Sequence, residues 1–196
     1  MVTGVSTGFT LSAWAKFNSY TTWGSVVKNW GTGSGGAIHL GLDDNNPYFS
    51  SYIRTGGSVT GGAGNTITLG QWYNVLFTYD GTKQVFYLNG TFQGQWLATG
   101  ALDTSNPRLG FGAKPSDTPG DFNSQIDGWI DEVSIYNTAL TAGEVSALYA
   151  AGGSDPSAVP EPGQVAASLL LLTGIGGYVF IKRRKTTKSA LATFAA

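Results

Sequence analysis

In FTLSAWAKF, apolar Phe9, Leu11, Ala13, Ala15 and Phe17 alternate with Thr10, Ser12, Trp14 and Lys16. That two-residue period belongs to a strand with one buried face. Short apolar runs follow at GSVVKNW, GAIHLGL, PYFSSYI, WYNVLFTY, QVFYLNG, TFQGQWL and RLGFGAK, parted by clusters such as GTGSGG, DDNNP, YDGTK and TSNP. Strands of this length between turn signals predict a sandwich or a barrel. Asp80-Gly81 and Asn89-Gly90 tolerate the positive φ of tight hairpins, so FTYDGTKQVFYLNGTFQGQW reads as a three-stranded antiparallel meander. Asn89-Gly90-Thr91 also fits a glycosylation acceptor pattern, for which the hairpin already accounts.

One body segment is helical in pattern. In TALTAGEVSALYAAGG, Thr141 can cap and Glu144 stands three residues on, as in a capping box. Val145, Leu148 and Tyr149 share a face, and Gly152-Gly153 ends the run. The next stretch, SDPSAVPEPG, holds Pro156, Pro160 and Pro162 and reads as an extended linker. Val165 to Ile181 then runs for 17 residues without a charge, the lower end of what spans a bilayer. It is apolar all round rather than striped, which argues against a core helix. Lys182, Arg183, Arg184 and Lys185 follow directly, and the positive-inside tendency places them in the cytoplasm and the β domain across the membrane.

Composition narrows the picture. The 196 residues include 29 Gly, 6 Trp, 9 Tyr and 10 Phe and are 12% charged, which suits one Gly- and aromatic-rich β domain with an appendage. With no Cys there is no disulfide framework and no thiolate metal site, so any bound ion would need oxygen ligands. The formal charge of −1 hides an asymmetry: before Gly153, six Lys or Arg stand against ten Asp or Glu. An acidic body without a basic stripe argues against a nucleic-acid partner.

Three stretches resemble the laminin-G-like, concanavalin A-like jelly roll: FTLSAWAKF its early strand, QWYNVLFTYDGTKQVFYLNG its central hairpin, and IDGWIDEVSIYNTALTAGEVSALYAAG its last strand and terminal helix. The resemblance implies an all-β, antiparallel jelly-roll β-sandwich over 1–153 with a short C-terminal helix, then a linker and a single transmembrane helix. It also implies an earlier strand with a Gly-Asp-Asp-Tyr type motif behind a signal peptide. The chain instead begins MVTGVSTG directly before the alternating strand, so the expectation is a domain lacking its N-terminal strand, as from a misplaced start. Pro160, Glu161 and Pro162, then the apolar span, then Lys182 to Lys185 are similar to the PEP-CTERM sorting signal of Gram-negative bacteria. That similarity divides the tail into a linker over 154–163, a transmembrane helix over 164–181 and a basic cytoplasmic tail over 182–196. It implies an exosortase as processing partner, inner-membrane anchoring before processing, and release to the cell surface or exopolysaccharide matrix. A plain tail anchor is the alternative.

Candidate chemistry is sparse. A retaining glycosidase needs two carboxylates about 5 to 5.5 Å apart. Asp131 and Glu132 are adjacent and so face opposite sides of a strand, while Asp127 and Asp131 share a side at roughly 13 Å. Enzyme activity is therefore not expected. His39, the only histidine, reads as structural, and a zinc site with one His and no Cys is disfavoured. Calcium suits the oxygen-only ligand supply, and the resemblance makes Asp131 its best ligand; Asp43-Asp44-Asn45-Asn46 reads first as a turn. Trp23, Trp30, Tyr48, Tyr52 and Trp96 lie near strand ends or loops, where flat rings can stack on a sugar or, alternatively, rim the core. Fold analogy supplies much of this reading. The expected function is an exported, non-enzymatic module binding a glycan or a surface protein; a structural matrix protein without a dedicated ligand, or a glycoside hydrolase, are the alternatives. Intact mass of the mature protein from its native host is expected to show a species ending between Pro160 and Gly163, outside the inner membrane. A full-length species lodged in that membrane would identify a permanent anchor instead.

Overall fold

Each alternating run becomes a strand because its apolar face finds an opposing sheet. The computed structural model describes residues 8–30, 36–44, 46–103, 108–115, 124–152 and 178–180. Its strands are β1 (Phe9–Phe17), β2 (Ser25–Lys28), β3 (Ile38–Leu42), β4 (Tyr48–Thr55), β5 (Ser58–Thr66), β6 (Trp72–Tyr79), β7 (Lys83–Leu88), β8 (Thr91–Leu97), β9 (Gly110–Phe111), β10 (Gly128–Tyr136) and β11 (Tyr178–Phe180), with helix α1 (Ala142–Gly152) between the last two. They form a six-stranded sheet, β11-β10-β1-β6-β7-β8, and a five-stranded sheet, β5-β4-β3-β2-β9. All pairings are antiparallel, as the expected jelly-roll sandwich requires.

Between the sheets lie Phe9, Leu11 and Phe17 of β1, Phe77 of β6, Phe86 of β7, Leu40 and Leu42 of β3, and Phe49 and Ile53 of β4, all nearly free of solvent. Phe17 meets Phe49 edge to face, with ring centroids 5.2 Å apart, a favoured aromatic geometry. Within this apolar layer Gln84 Nε2 donates to the Ser51 carbonyl at 2.9 Å, a polar contact that joins the two sheets.

The half-buried pattern predicted for β1 is corrected: both of its faces are covered. Thr10, Ser12 and Trp14, expected to face water, are buried. The cause is α1 and the segment leading into it. Trp14 stacks on Tyr149 at 5.8 Å, and Thr10 Oγ1 donates to the Thr138 carbonyl at 2.8 Å while accepting from the Leu140 amide at 2.9 Å. Leu76, Val85, Tyr87, Tyr136, Leu140 and Val145 make a second, smaller core under the helix. The predicted capping box forms: the Glu144 amide donates to Thr141 Oγ1 at 3.3 Å, and Glu144 Oε2 accepts from the Thr141 amide at 2.7 Å.

The Asn89-Gly90 hairpin has φ of 49° and 70° at its two central residues, as its dipeptide signal predicts. A Cβ on Gly90 would come within 2.9 Å of Tyr149, so this turn also admits the helix. Strand β5 has no counterpart among the predicted strands. Its sequence SVTGGAGNT lacks apolar alternation, and it joins the sheet by pairing along β4.

Within the predicted transmembrane helix, the structure describes only Tyr178–Phe180, and as a strand antiparallel to β10. The open edge of β10 offers unpaired backbone donors and acceptors, and Tyr-Val-Phe has the residue types that favour a strand. Among the described residues no helix is long and apolar enough to cross a membrane. Pro160, Glu161 and Pro162, the rest of 164–181, and Lys182, Arg183, Arg184 and Lys185 lie outside the described residues. Replacing Trp14 by Ala is expected to destabilise the domain by about 3–5 kcal/mol, and Thr141→Ala by about 1 kcal/mol, as read from urea unfolding midpoints. Equal effects would show that α1 is not held through Trp14.

Candidate functional site

Because Ile38, Leu40 and Leu42 point inward, their neighbour His39 points outward. In register with it, Lys28 pairs with His39, His39 with Tyr52, and Tyr52 with Gly61. Four strands thus set a row of residues across the outer face of the five-stranded sheet, about 14 Å wide at ordinary strand spacing. Gly61, with φ of 147°, sits where a Cβ would come within 2.0 Å of the Ser51 carbonyl oxygen. Only glycine fits there, and it leaves bare backbone opposite Tyr52 in the sheet.

Two loops add aromatic rings to this row. Trp23 has φ of 53°, a conformation that costs a bulky residue of order 1–3 kcal/mol. It is held there by its amide donating to the Asp44 carbonyl at 3.0 Å and by Ser25 Oγ donating to its own carbonyl at 2.9 Å. Its ring stands edge-on to His39 at 5.5 Å and to Tyr52 at 6.0 Å, while His39 and Tyr52 stack at 6.1 Å. Trp30 follows Asn29, whose Oδ1 accepts from the Ala37 and Ile38 amides at 2.8 and 2.6 Å and so ties the loop base to β3. The Arg54 guanidinium lies 5.3 Å from the Trp30 ring. These three aromatic residues, with Lys28, His39, Val59 and Lys114, line a cleft of about 440 Å³, a size and lining typical of ligand sites.

The polar groups of the cleft are unusual. His39 is fully buried, and burial first, then the charge of Lys28, pushes its pKa down to about 3, so the ring is neutral. Nε2 lies 3.1 Å from the Leu42 carbonyl, which can only accept, so Nε2 carries the hydrogen. Nδ1 is then a bare acceptor, buried and without a hydrogen-bond partner. Lys28 is 8% exposed; burial and then nearby Lys114 lower its pKa to about 8. Its ammonium donates to Ser124 Oγ at 3.3 Å and lies 6.0 Å from the Trp23 ring centroid. Burial, then the Asp43 carboxylate, raises the Tyr52 phenol to about 12, so it stays a donor, bonded to Asp43 Oδ1 at 2.9 Å.

Of the five aromatic residues singled out in the sequence, the fold gathers Trp23, Trp30 and Tyr52 and excludes two. Tyr48 begins β4 opposite Thr66, away from the cleft. Trp96 is half-buried against the main core, its ring over Gly62 and Gly94. Asp131 and Glu132 lie on β10, in the other sheet, where a bulge puts Glu132 at φ of 48° and breaks the simple alternation assumed for them. Asp127 accepts from Ser19 Oγ at 2.7 Å and Asn18 Nδ2 at 3.1 Å, bonds that lower its pKa. Among the described residues no three His, Cys, Asp or Glu side chains converge. Asp44, with φ of 55°, behaves as the turn residue predicted. Sequence reasoning missed Lys28 and Lys114. A lysine in an alternating strand reads as solvated, and the only available signal was that Lys28 stands two residues before Trp30.

A family model described as the concanavalin A-like lectin/glucanases superfamily, Laminin_G_3, matches residues 2–146. The CBM40 module of the Ruminococcus gnavus IT-sialidase, bound to α2,3-sialyllactose, has a TM-score of 0.62 at 15% identity, covering 74% of this chain and 83% of that one. Domain 4 of AbnA, an extracellular arabinanase from Geobacillus stearothermophilus in complex with arabinotriose, has a TM-score of 0.56 at 22% identity, over 72% and 66%. Domains LG4-5 of the mouse laminin α1 chain have a TM-score of 0.51 at 10% identity, over 70% and 39%. The chain thus spans about two thirds of the arabinanase domain and two fifths of the laminin pair. At these identities the likeness is one of fold. No curated protein matches the chain.

The buried neutral His39 has a pH consequence. Its folded pKa of about 3 lies below the ordinary 6.5, so the unfolded chain takes up the proton first. The stability that His39 allows is complete above pH 6.5 and is lost as pH falls toward 3, by up to roughly 1.4 kcal/mol per unit. His39→Gln is expected to flatten the slope of unfolding free energy between about pH 6.5 and 4.5 in urea titrations. Identical slopes for the two proteins would contradict a buried neutral imidazole.

Proposed function

We propose that this chain, which belongs to the concanavalin A-like lectin/glucanase superfamily, is a non-catalytic carbohydrate-binding module whose sugar site is the outer face of the five-stranded sheet. One observation carries the reading: Trp23, Trp30 and Tyr52 converge on a cleft lined also by His39, whose buried Nδ1 has no hydrogen-bond partner. A pyranose supplies what this cleft lacks. Its C–H face covers an aromatic ring with little loss of side-chain freedom, and a hydroxyl can donate to Nδ1. The desolvation of that nitrogen is already incurred in the free protein, so the new bond is gained against little further cost. Lys28 then offers a charge-assisted donor to a ring or hydroxyl oxygen. The arabinotriose and sialyllactose complexes of the similar modules support a glycan as ligand here.

The described lining favours binding without hydrolysis. Glycoside hydrolysis needs two carboxyl groups flanking the bond, and no Asp or Glu is among the described residues lining the cleft. Asp43 stands at the rim, engaged by the Tyr52 hydroxyl. Asp131 and Glu132 belong to the opposite sheet. We further propose export, with inner-membrane anchoring and then exosortase processing at Pro160-Glu161-Pro162, which would deliver the module to the cell surface or exopolysaccharide matrix. The order of that motif, the apolar span and the basic cluster supports this delivery.

Affinity electrophoresis and a glycan array are expected to show retention by at least one polysaccharide. Trp23→Ala and Tyr52→Ala should each weaken it tenfold or more, and Tyr48→Ala should leave it intact. Absence of retention across a broad panel, or release of reducing sugar that is lost on changing Asp131 or Glu132, would overturn the reading.

A further inference from the structure

Charge distribution says more about the ligand than the aromatic rings do. The body carries six Lys or Arg against ten Asp or Glu. Three of those six, Lys28, Lys114 and Arg54, stand at one place: the first two line the cleft and the third lies over Trp30 at its side. An acidic domain has therefore concentrated half of its positive charge where its aromatic residues converge. Of the described acids, Asp43 accepts from Tyr52, the Asp44 carbonyl accepts from Trp23, and the Asp103 amide donates to the Arg54 carbonyl at 3.0 Å.

Lys28 is the informative member. It is almost wholly removed from water, its ammonium has a long hydrogen bond to a neutral hydroxyl, and it forms no ion pair among the described residues. A buried ammonium without a carboxylate is costly: burial first, and then repulsion from Lys114, lower its pKa to about 8. A buried ammonium without a counter-ion among the described residues, on a partly apolar cleft that a second lysine also lines, favours an anionic group beside it. We infer that the cleft selects an acidic saccharide, with the carboxylate of a hexuronate-type sugar set against Lys28 and Lys114 while its ring stacks on the aromatic residues. This rests on the carbohydrate-binding reading and narrows its ligand class. The carboxylate would relieve the lysine repulsion, and His39 Nδ1 would take a hydroxyl of the same ring. Charge of this kind adds discrimination as well as affinity, because a neutral analogue leaves the ammonium buried and unpaired.

The test is calorimetric titration of the full chain with oligosaccharides of galacturonate, glucuronate and mannuronate, each beside its neutral methyl ester. At least one acid is expected to bind tenfold or more tightly than its ester, with the difference shrinking as salt rises. Lys28→Met and Lys114→Met should each bring the acid-to-ester ratio toward one, and Lys83→Met, on β7, should leave both the ratio and the binding of the ester unchanged. Lys114 tests the idea even where Lys28→Met fails to fold, which circular dichroism would report. Equal affinity for acid and ester, or a preference that survives both substitutions, would overturn the inference and leave the glycan reading standing. Binding of neutral glycans alone would do the same; no binding to any saccharide would remove both.

Discussion

The register that pairs β2 with β3 and β3 with β4 is the constraint on which both the core and the site depend. Side chains alternate along a strand, so placing Ile38, Leu40 and Leu42 against the other sheet forces His39 outward. A slip of one residue would expose those three apolar groups and drive an imidazole inward. The row Lys28, His39, Tyr52 and Gly61 is therefore the reverse side of the hydrophobic core. Core packing is the larger force, and the outer face inherits its order from it.

That inherited face gathers several costly features. Trp23 sits in a left-handed backbone conformation, His39 keeps a buried nitrogen without a partner, and Lys28 keeps a buried charge beside a second lysine. Each is unfavourable alone, and all three converge on one cleft. Folding does not require any of them, since the aromatic core and the Gln84 bridge already hold the sheets together. Strain and desolvation borne in the empty domain reduce what a ligand must lose on binding, which is the physical meaning of preorganisation.

The six-stranded sheet has a different task. Its outer face is closed by α1, which stacks Tyr149 on Trp14 and covers Leu76, Val85 and Tyr87. The two outer faces of one sandwich therefore diverge: one is sealed for stability, the other left open with rings and cations. The open edge of β10 takes β11 as a neighbour, so a segment that reads as a membrane helix in isolation supplies backbone groups that an edge strand lacks.

The sequence by itself determined an all-β pattern of strands and hairpins closed by one short helix, because period-two alternation, Asn-Gly turns and a capping box are local signals whose energetics act within a few residues. It also marked Trp23, Trp30 and Tyr52 as ring platforms, since their places beside turns are visible along the chain. Only tertiary structure separated them from Tyr48 and Trp96, for which the strand signals are the same but the neighbours differ. It likewise decided that β1 is buried on both faces, that Gly-rich β5 is a strand, and that Lys28 lies next to His39. Those outcomes arise from which strand pairs with which, and pairing between residues distant in sequence leaves no periodicity to read. Burial then converts two residue types that look ordinary in a strand, a lysine and a histidine, into an uncompensated cation and a bare acceptor.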